Sequence, residues 1–253
     1  MKIIPIKTGM IHCNKGVTIT LGKDMDKWVD VPSISWLIIT KDKRILVDTG
    51  MCCTEMAQKY HYLGSTQNEE QRIDKALMKI GVKTEDIDIV ILTHLHWDHS
   101  QNLDMFKNAN FYVQKKELDF AKKPIPPYYS SYDYGNNEFK PSFESVKFNV
   151  LNGDEKITEG IEVFMTPGHS PGHQSVLVKT EKGNYVIAGD AVMCYENLEK
   201  HPTKGILYTM IGRYMDIEKS WKSIERIMKK AGGKEFVLPA HEEKIFEHDK
   251  YPS

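Results

Sequence analysis

Cysteine is scarce in this chain, and the little there is lacks pattern. The 253 residues include four: Cys13, Cys52, Cys53 and Cys194. None stands in a Cys-x-x-Cys pair, so the usual signature of a thiolate zinc site is missing, and the density is too low for a disulfide-framed scaffold. Cys52 and Cys53 could close only a strained vicinal disulfide, so reduced thiols are expected. A charge of one sign is also missing. Lys and Arg total 34 against 35 Asp and Glu, for a formal net charge of −1. That balance offers no basic surface to nucleic acid or to an anionic membrane. No apolar run approaches the length of a membrane span. The first residues, Met1 to Lys7, carry only a short apolar patch broken by Pro5, which is not a secretory leader. A cytoplasmic protein is expected.

What is present suits a folded α/β chain. Hydrophobic residues make up 40% and charged residues 27%, enough for a sizeable core. The length allows one large domain or two small ones. Ser35–Thr40, a turn at Lys41–Lys43 and Arg44–Val47 read as a hairpin that runs into Asp48-Thr49-Gly50. That triplet also occurs in aspartic proteases, but those need two such aspartates and this chain has one. Helices are expected over Asn68–Ile80, with Ile73, Leu77 and Ile80 on its apolar face and Gly81 closing it, and over Lys115–Ala121. A further helix follows Asp216, with Ile217, Trp221, Ile224 and Met228 as its apolar face. The stretch Lys122–Ser145 is rich in Pro and Tyr and has no period. It suits either a pocket wall or a subunit contact.

The most informative stretch is Thr93-His94-Leu95-His96-Trp97-Asp98-His99. It follows the apolar run Ile87–Leu92, so its imidazoles and carboxylate leave the end of a buried strand. Other strand-like runs end in the same way. Gly160–Thr166 leads to His169, a second hairpin (Gln174–Thr180 and Tyr185–Ala188) leads to Asp190, and Phe236–Leu238 leads to His241. Strand ends lie along one edge of a sheet, so His94, His96, Asp98, His99, His169, Asp190 and His241 can meet. These donors exceed what a closed structural zinc site uses and include no thiolate. They suit two metal ions sharing a carboxylate, and a catalytic site. His12, His61, His201 and His248 fall outside these runs and read as surface or loop residues. Cys194 reads as a small buried filler.

The motif His94-Leu95-His96-Trp97-Asp98-His99, with His169, Asp190 and His241, resembles the metallo-β-lactamase superfamily. Thr93–Ser100 and Thr166-Pro167-Gly168-His169-Ser170-Pro171-Gly172-His173-Gln174-Ser175 are most similar to its N-acyl homoserine lactonase branch. The resemblance implies an α/β fold, a four-layer αββα sandwich of two similar halves, as one domain over residues 1–253. It implies that His94, His96 and His169 bind one divalent ion, most naturally zinc. Asp98, His99 and His241 would bind a second, and Asp190 would bridge the two. Asp48 would orient a ligand histidine, and His173 would be structural. The implied reaction is lactone opening by a hydroxide held between the ions, with Asp98 also passing a proton to the leaving alkoxide. The same donors would serve a thioesterase of the glyoxalase II type, and a non-catalytic metal-binding protein is the remaining alternative. Where the lactonases carry a tyrosine, three residues after the bridging aspartate, this chain has Met193, with Tyr195 two positions on. The expected partner is a small ester or lactone. The Pro/Tyr stretch and Met51–Leu63 are the segments that could join two copies in a homodimer.

Overall fold

Two β-sheets stack face to face in a computed structural model that describes residues 1–136 and 138–252. The first sheet has six strands in chain order. They are β1 (Lys2–Asn14), β2 (Trp28–Ile39), β3 (Arg44–Val47), β4 (Ile89–Ile91), β5 (Asn110–Gln114) and β6 (Phe148–Leu151). The second sheet has five: β7 (Glu155–Thr158), β8 (Ile161–Met165), β9 (Gln174–Thr180), β10 (Gly183–Gly189) and β11 (Val237–Pro239).

Side chains alternate between the faces of a strand, and this builds the layers. Trp36, Ile38, Ile45 and Val47 point between the sheets, where they meet Val163, Val176, Val178 and Ile187. Their neighbours Leu37 and Leu46 point outward, onto Ile73 and Leu77 of α2 (Ile73–Lys79) and the apolar side of α3 (Lys115–Ala121). On the far side, Leu177, Val186 and Ala188 pack on Ile224 and Ile227 of α4 (Ile217–Ala231). A short helix, α1 (Thr54–Tyr60), precedes α2. The result is the expected αββα sandwich, and among the described residues no helix is long and apolar enough to cross a membrane.

The two halves repeat in topology. In one, the β2–β3 hairpin is antiparallel and β4 joins β3 in parallel. In the other, β9–β10 is antiparallel and β11 joins β10 in parallel. Asp48 follows β3 and Asp190 follows β10. The His94–His99 segment follows β4 and His241 follows β11. Equivalent strand ends thus deliver all of these residues to one edge.

Some local expectations need correction. The expected helix Asn68–Ile80 is two pieces: a 3₁₀ turn, Glu69–Gln71, capped by Asn68, and then α2, separated by the extended Arg72. Ile80 caps α2 and is 43% exposed, so its apolar face is Ile73 and Leu77 alone. In α4 the buried face is Ile224, Ile227 and Ala231 with Ser220 and Ser223, whereas Ile217 is exposed. The first turn of α4 packs on the Gly168 loop through Ser220 and leaves Ile217 facing out. Asp216 does cap α4, accepting from the Lys219 amide. Strand β1 was not anticipated, because Pro5 and the mixed polarity of Lys2–Asn14 hide its period.

Candidate active site

The strand ends bring all seven expected donors together. Their ligating atoms form three groups, within each of which no two atoms are more than 4.8 Å apart: His94, His96 and His169; Asp98, His99 and His241; and His94, His99 and Asp190. The first two groups are the two ion sites implied by the resemblance. Asp190 lies between them, with Oδ1 at 3.0 Å from His99 Nε2 and 3.2 Å from His241 Nε2, and Oδ2 at 3.3 Å from His169 Nε2.

In four of the five rings the outward-facing nitrogen has a reason to carry the proton. His99 Nδ1 donates to Asp48 Oδ2 at 2.8 Å, His169 Nδ1 to the Arg213 carbonyl at 2.8 Å and His241 Nδ1 to the Pro32 carbonyl at 2.8 Å. His94 Nδ1 lies 3.0 Å from Thr93 Oγ1, which itself donates to Asp48 Oδ2. Anchored through Nδ1, these rings turn Nε2 and its lone pair inward, as metal-ligating histidines do. The inward atoms fit a cation. His94 Nε2, His99 Nε2 and Asp190 Oδ1 are buried without a hydrogen-bond partner, which is costly for groups that nothing else satisfies, and His96 presents Nδ1 instead, 2.9 Å from His169 Nε2.

The electrostatics divide the cluster. Burial, and then the imidazoles of His99 and His96, push His94 well below the usual histidine range. Burial and His169 do the same to His96, and burial also lowers His169. These three are neutral and ready to ligate. His99 and His241 go the other way. Burial opposes their charge, but Asp190 and Asp98 beside them outweigh it and raise both.

Two buried carboxylates brace the ligands. Asp48, with its backbone in the left-handed region at φ 59°, accepts from the Thr93 amide at 2.7 Å as well as from Thr93 Oγ1 and His99. Glu117 on α3 accepts from the Leu95 amide, the Tyr132 hydroxyl, Ser170 Oγ and the Gly172 amide, at 2.7–3.1 Å. It thus ties the His94–His99 segment to the loop that carries His169. Gly172 has to be glycine there, because a Cβ would sit 2.1 Å from the Glu117 amide nitrogen. His173 has the structural part expected of it. It accepts the Asp190 amide at 3.0 Å and contacts Thr166 Oγ1, and burial pushes it down to about 3, so it stays neutral.

A cavity of about 230 Å³ opens onto His96, Asp98, His169, Asp190 and His241. Its other walls revise several expectations. His61 is no surface residue. Its side chain is 1% exposed and stacks on Trp97 at 4.2 Å between ring centroids, with Asp133 beside it. His201 is buried too, away from the cavity. Tyr195 packs into the core next to Phe236 and does not line the cavity, whereas Met193 does. The phenol in the wall is that of Tyr62. Ser130 and Ser131 of the Pro/Tyr stretch form part of the wall, one of the two roles open to that stretch. The cysteines are free thiols. Burial pushes Cys13 and Cys194 up to about 12, so neither is a thiolate ligand. No sequence pattern marks Glu117, Tyr62 or Arg213 as part of the site, and His61 reads there as a surface or loop residue. Glu117 sits in a charged helix, and the other three lie in stretches without a motif.

Comparison with known proteins agrees with this geometry. An N-acyl homoserine lactonase from a Bacillus species is 30% identical over 248 residues, which cover 94% of this chain and 88% of that protein. The crystal structure of a quorum-quenching N-acyl homoserine lactone hydrolase superposes with a TM-score of 0.75 at 26% identity, covering 96% of this chain and 93% of that one. AidC, a dizinc quorum-quenching lactonase bound to its product, shares the fold, with a TM-score of 0.70 at 18% identity over 95% of this chain and 87% of that one. The sequence model of the metallo-beta-lactamase superfamily matches residues 28–241, and the chain belongs to that superfamily.

Proposed function

We propose that this chain is a two-metal hydrolase that opens the ester bond of a lactone, with N-acyl homoserine lactones and related lactones as the substrate class. The observation that carries the reading is the convergence of seven donors in two groups around Asp190, at the floor of a cavity. The lactonase that matches 94% of the chain supports the substrate class. Residues 1–253 are read as one hydrolase domain, since both sheets contribute donors to the one site.

His94, His96 and His169 would hold one ion, Asp98, His99 and His241 the other, and Asp190 both. Such ions supply a water acidified to near neutral pKa and an electrophile for the carbonyl oxygen. Zinc suits this set of imidazole and carboxylate donors and is the metal of the fold neighbour AidC, although iron, cobalt and manganese accept the same donors. The protein's own groups do the rest. The Nδ1 anchors fix the rings, so the donor geometry is set before substrate arrives. Asp98 lines the cavity, and its side chain is the more open of the two aspartates, at 12% against 4% for Asp190. That opening supports Asp98 as the carboxylate that would carry a proton to the leaving alkoxide. Ile11, Ile19, Val31, Trp97 and Met193 give the cavity an apolar side that excludes water from the reacting ester.

The test is a panel of lactones and thioesters offered to the metal-loaded enzyme. Lactone opening should dominate and should stop on chelation. His96→Ala should abolish it, and Asp98→Asn should lower kcat by about 10²- to 10⁴-fold. Undiminished turnover by metal-stripped protein would overturn the reading, and turnover of thioesters alone would replace the substrate.

A further inference from the structure

Arg213 is the one cation in the wall of the cavity outside the imidazoles, and none of the chemistry above uses it. It is half-buried, and among the described residues its guanidinium is in no ion pair. One nitrogen donates to Ser131 Oγ at 2.6 Å, and the group lies 5.8 Å from the centre of the Tyr128 ring. A neutral hydroxyl and a ring face leave most of the fork of N–H donors without an acceptor. The position is well fixed. The Arg213 carbonyl accepts from His169, and Ser131, which holds the other end of the side chain, accepts the Trp97 amide through its carbonyl at 2.9 Å. The guanidinium is therefore tied to the metal-ligand segments at both ends and borders the space that a substrate must enter. The hydroxyls of Thr18, Ser130 and Tyr62 line the same cavity.

The carboxylates that reach the cavity, Asp98 and Asp190, belong to the donor groups and would be neutralised by ions. Arg213 has no such counterion. A cation of this kind in a confined cavity is favourable when a ligand supplies the partner, and its planar fork matches a carboxylate.

We propose that Arg213, with Ser131 beside it, is a carboxylate subsite that selects lactones whose acyl group ends in a negative charge. The inference rests on the lactonase reading and narrows its substrate class. A purely structural role, clamping the Pro/Tyr stretch through Ser131 and Tyr128, is the competing account.

A matched pair separates the two accounts. N-succinyl-homoserine lactone and N-butanoyl-homoserine lactone have the same chain length and differ in a terminal carboxylate against a methyl. For the metal-loaded wild type, kcat/KM should favour the succinyl compound by about ten- to a hundredfold, the range of a charge-assisted hydrogen bond. In Arg213→Gln the ratio should collapse to about one, and Arg213→Lys should restore part of it. A wild-type ratio near one, or a ratio preserved in Arg213→Gln while both rates fall, would overturn the subsite and leave a clamp. Calorimetric binding of the opened products, N-succinyl-homoserine and N-butanoyl-homoserine, to the same proteins gives the ratio without turnover. If neither lactone is opened, the lactonase reading fails. Tighter binding of the succinyl product, lost in Arg213→Gln, would then still establish the subsite, and equal binding would refute it.

Discussion

Asp48 and Glu117 are both fully buried carboxylates within one residue's reach of the donor cluster, yet they do different work. Asp48 takes one imidazole, through His99 Nδ1, and two donors from Thr93. Glu117 takes four donors, none of them charged, from three separate segments of chain. The first therefore sets the tautomer of one candidate ligand. The second holds loops in register, much as a turn's backbone hydrogen bonds would, but across the fold. Burial raises the proton affinity of both, and in Asp48 the His99 charge opposes it most.

The comparison can be broken most directly at Glu117. Glu117→Ala would leave four buried donors without an acceptor, at a cost of roughly 3 kcal/mol or more. For a protein of this size that lowers the melting midpoint by about 6–12 °C, read by calorimetry on metal-loaded protein. A shift under a degree or two would show that the loops do not depend on it. Asp48→Asn should act chiefly on metal. The amide is a weaker acceptor for His99 Nδ1 than the carboxylate, so affinity at the Asp98, His99 and His241 group should fall by about 10- to 100-fold while the first group keeps its ion. Titration with metal, followed by measurement of bound ions, reads this. Equal loss at both groups would remove the distinction between the two braces.

The smallest effect is a slope with pH. Because burial raises Glu117 in the folded chain, its contribution to stability is fully present below its ordinary carboxylate value and is lost as pH rises through the raised one. The stability of metal-stripped wild type relative to Glu117→Gln should therefore fall as pH rises from acid toward neutral. A difference that stays constant with pH, from melting curves of the two proteins, would mean that Glu117 does not change charge on that path.

Much of this was legible in the chain because the signals are local. His94, His96, Asp98 and His99 lie within six residues of one loop directly after an apolar strand, and His169, Asp190 and His241 each follow another, so the strand pattern marks them. Asp48 was visible for the same reason, at the end of a hairpin. Glu117 was not, since a glutamate flanked by lysines in a short helix has the composition of a solvated face. Ile217 and Ile80 misled in the opposite sense. Helical spacing marks a side, but it does not say which residues on that side the fold covers. Tyr195, close in sequence to the position of the missing tyrosine, points into the core, and the cavity's phenol comes from Tyr62 instead.

The sequence by itself determined which candidate donors stand at which strand ends, because residue type and strand period are properties of neighbours along the chain. Only the tertiary structure decided what surrounds those donors. It put Glu117 under two loops, stacked His61 on Trp97, and brought Arg213 through the His169 contact to face a cavity whose other walls lie far away in sequence. Such placements depend on how the two sheets and their connecting segments pack, and no local pattern of residues encodes them.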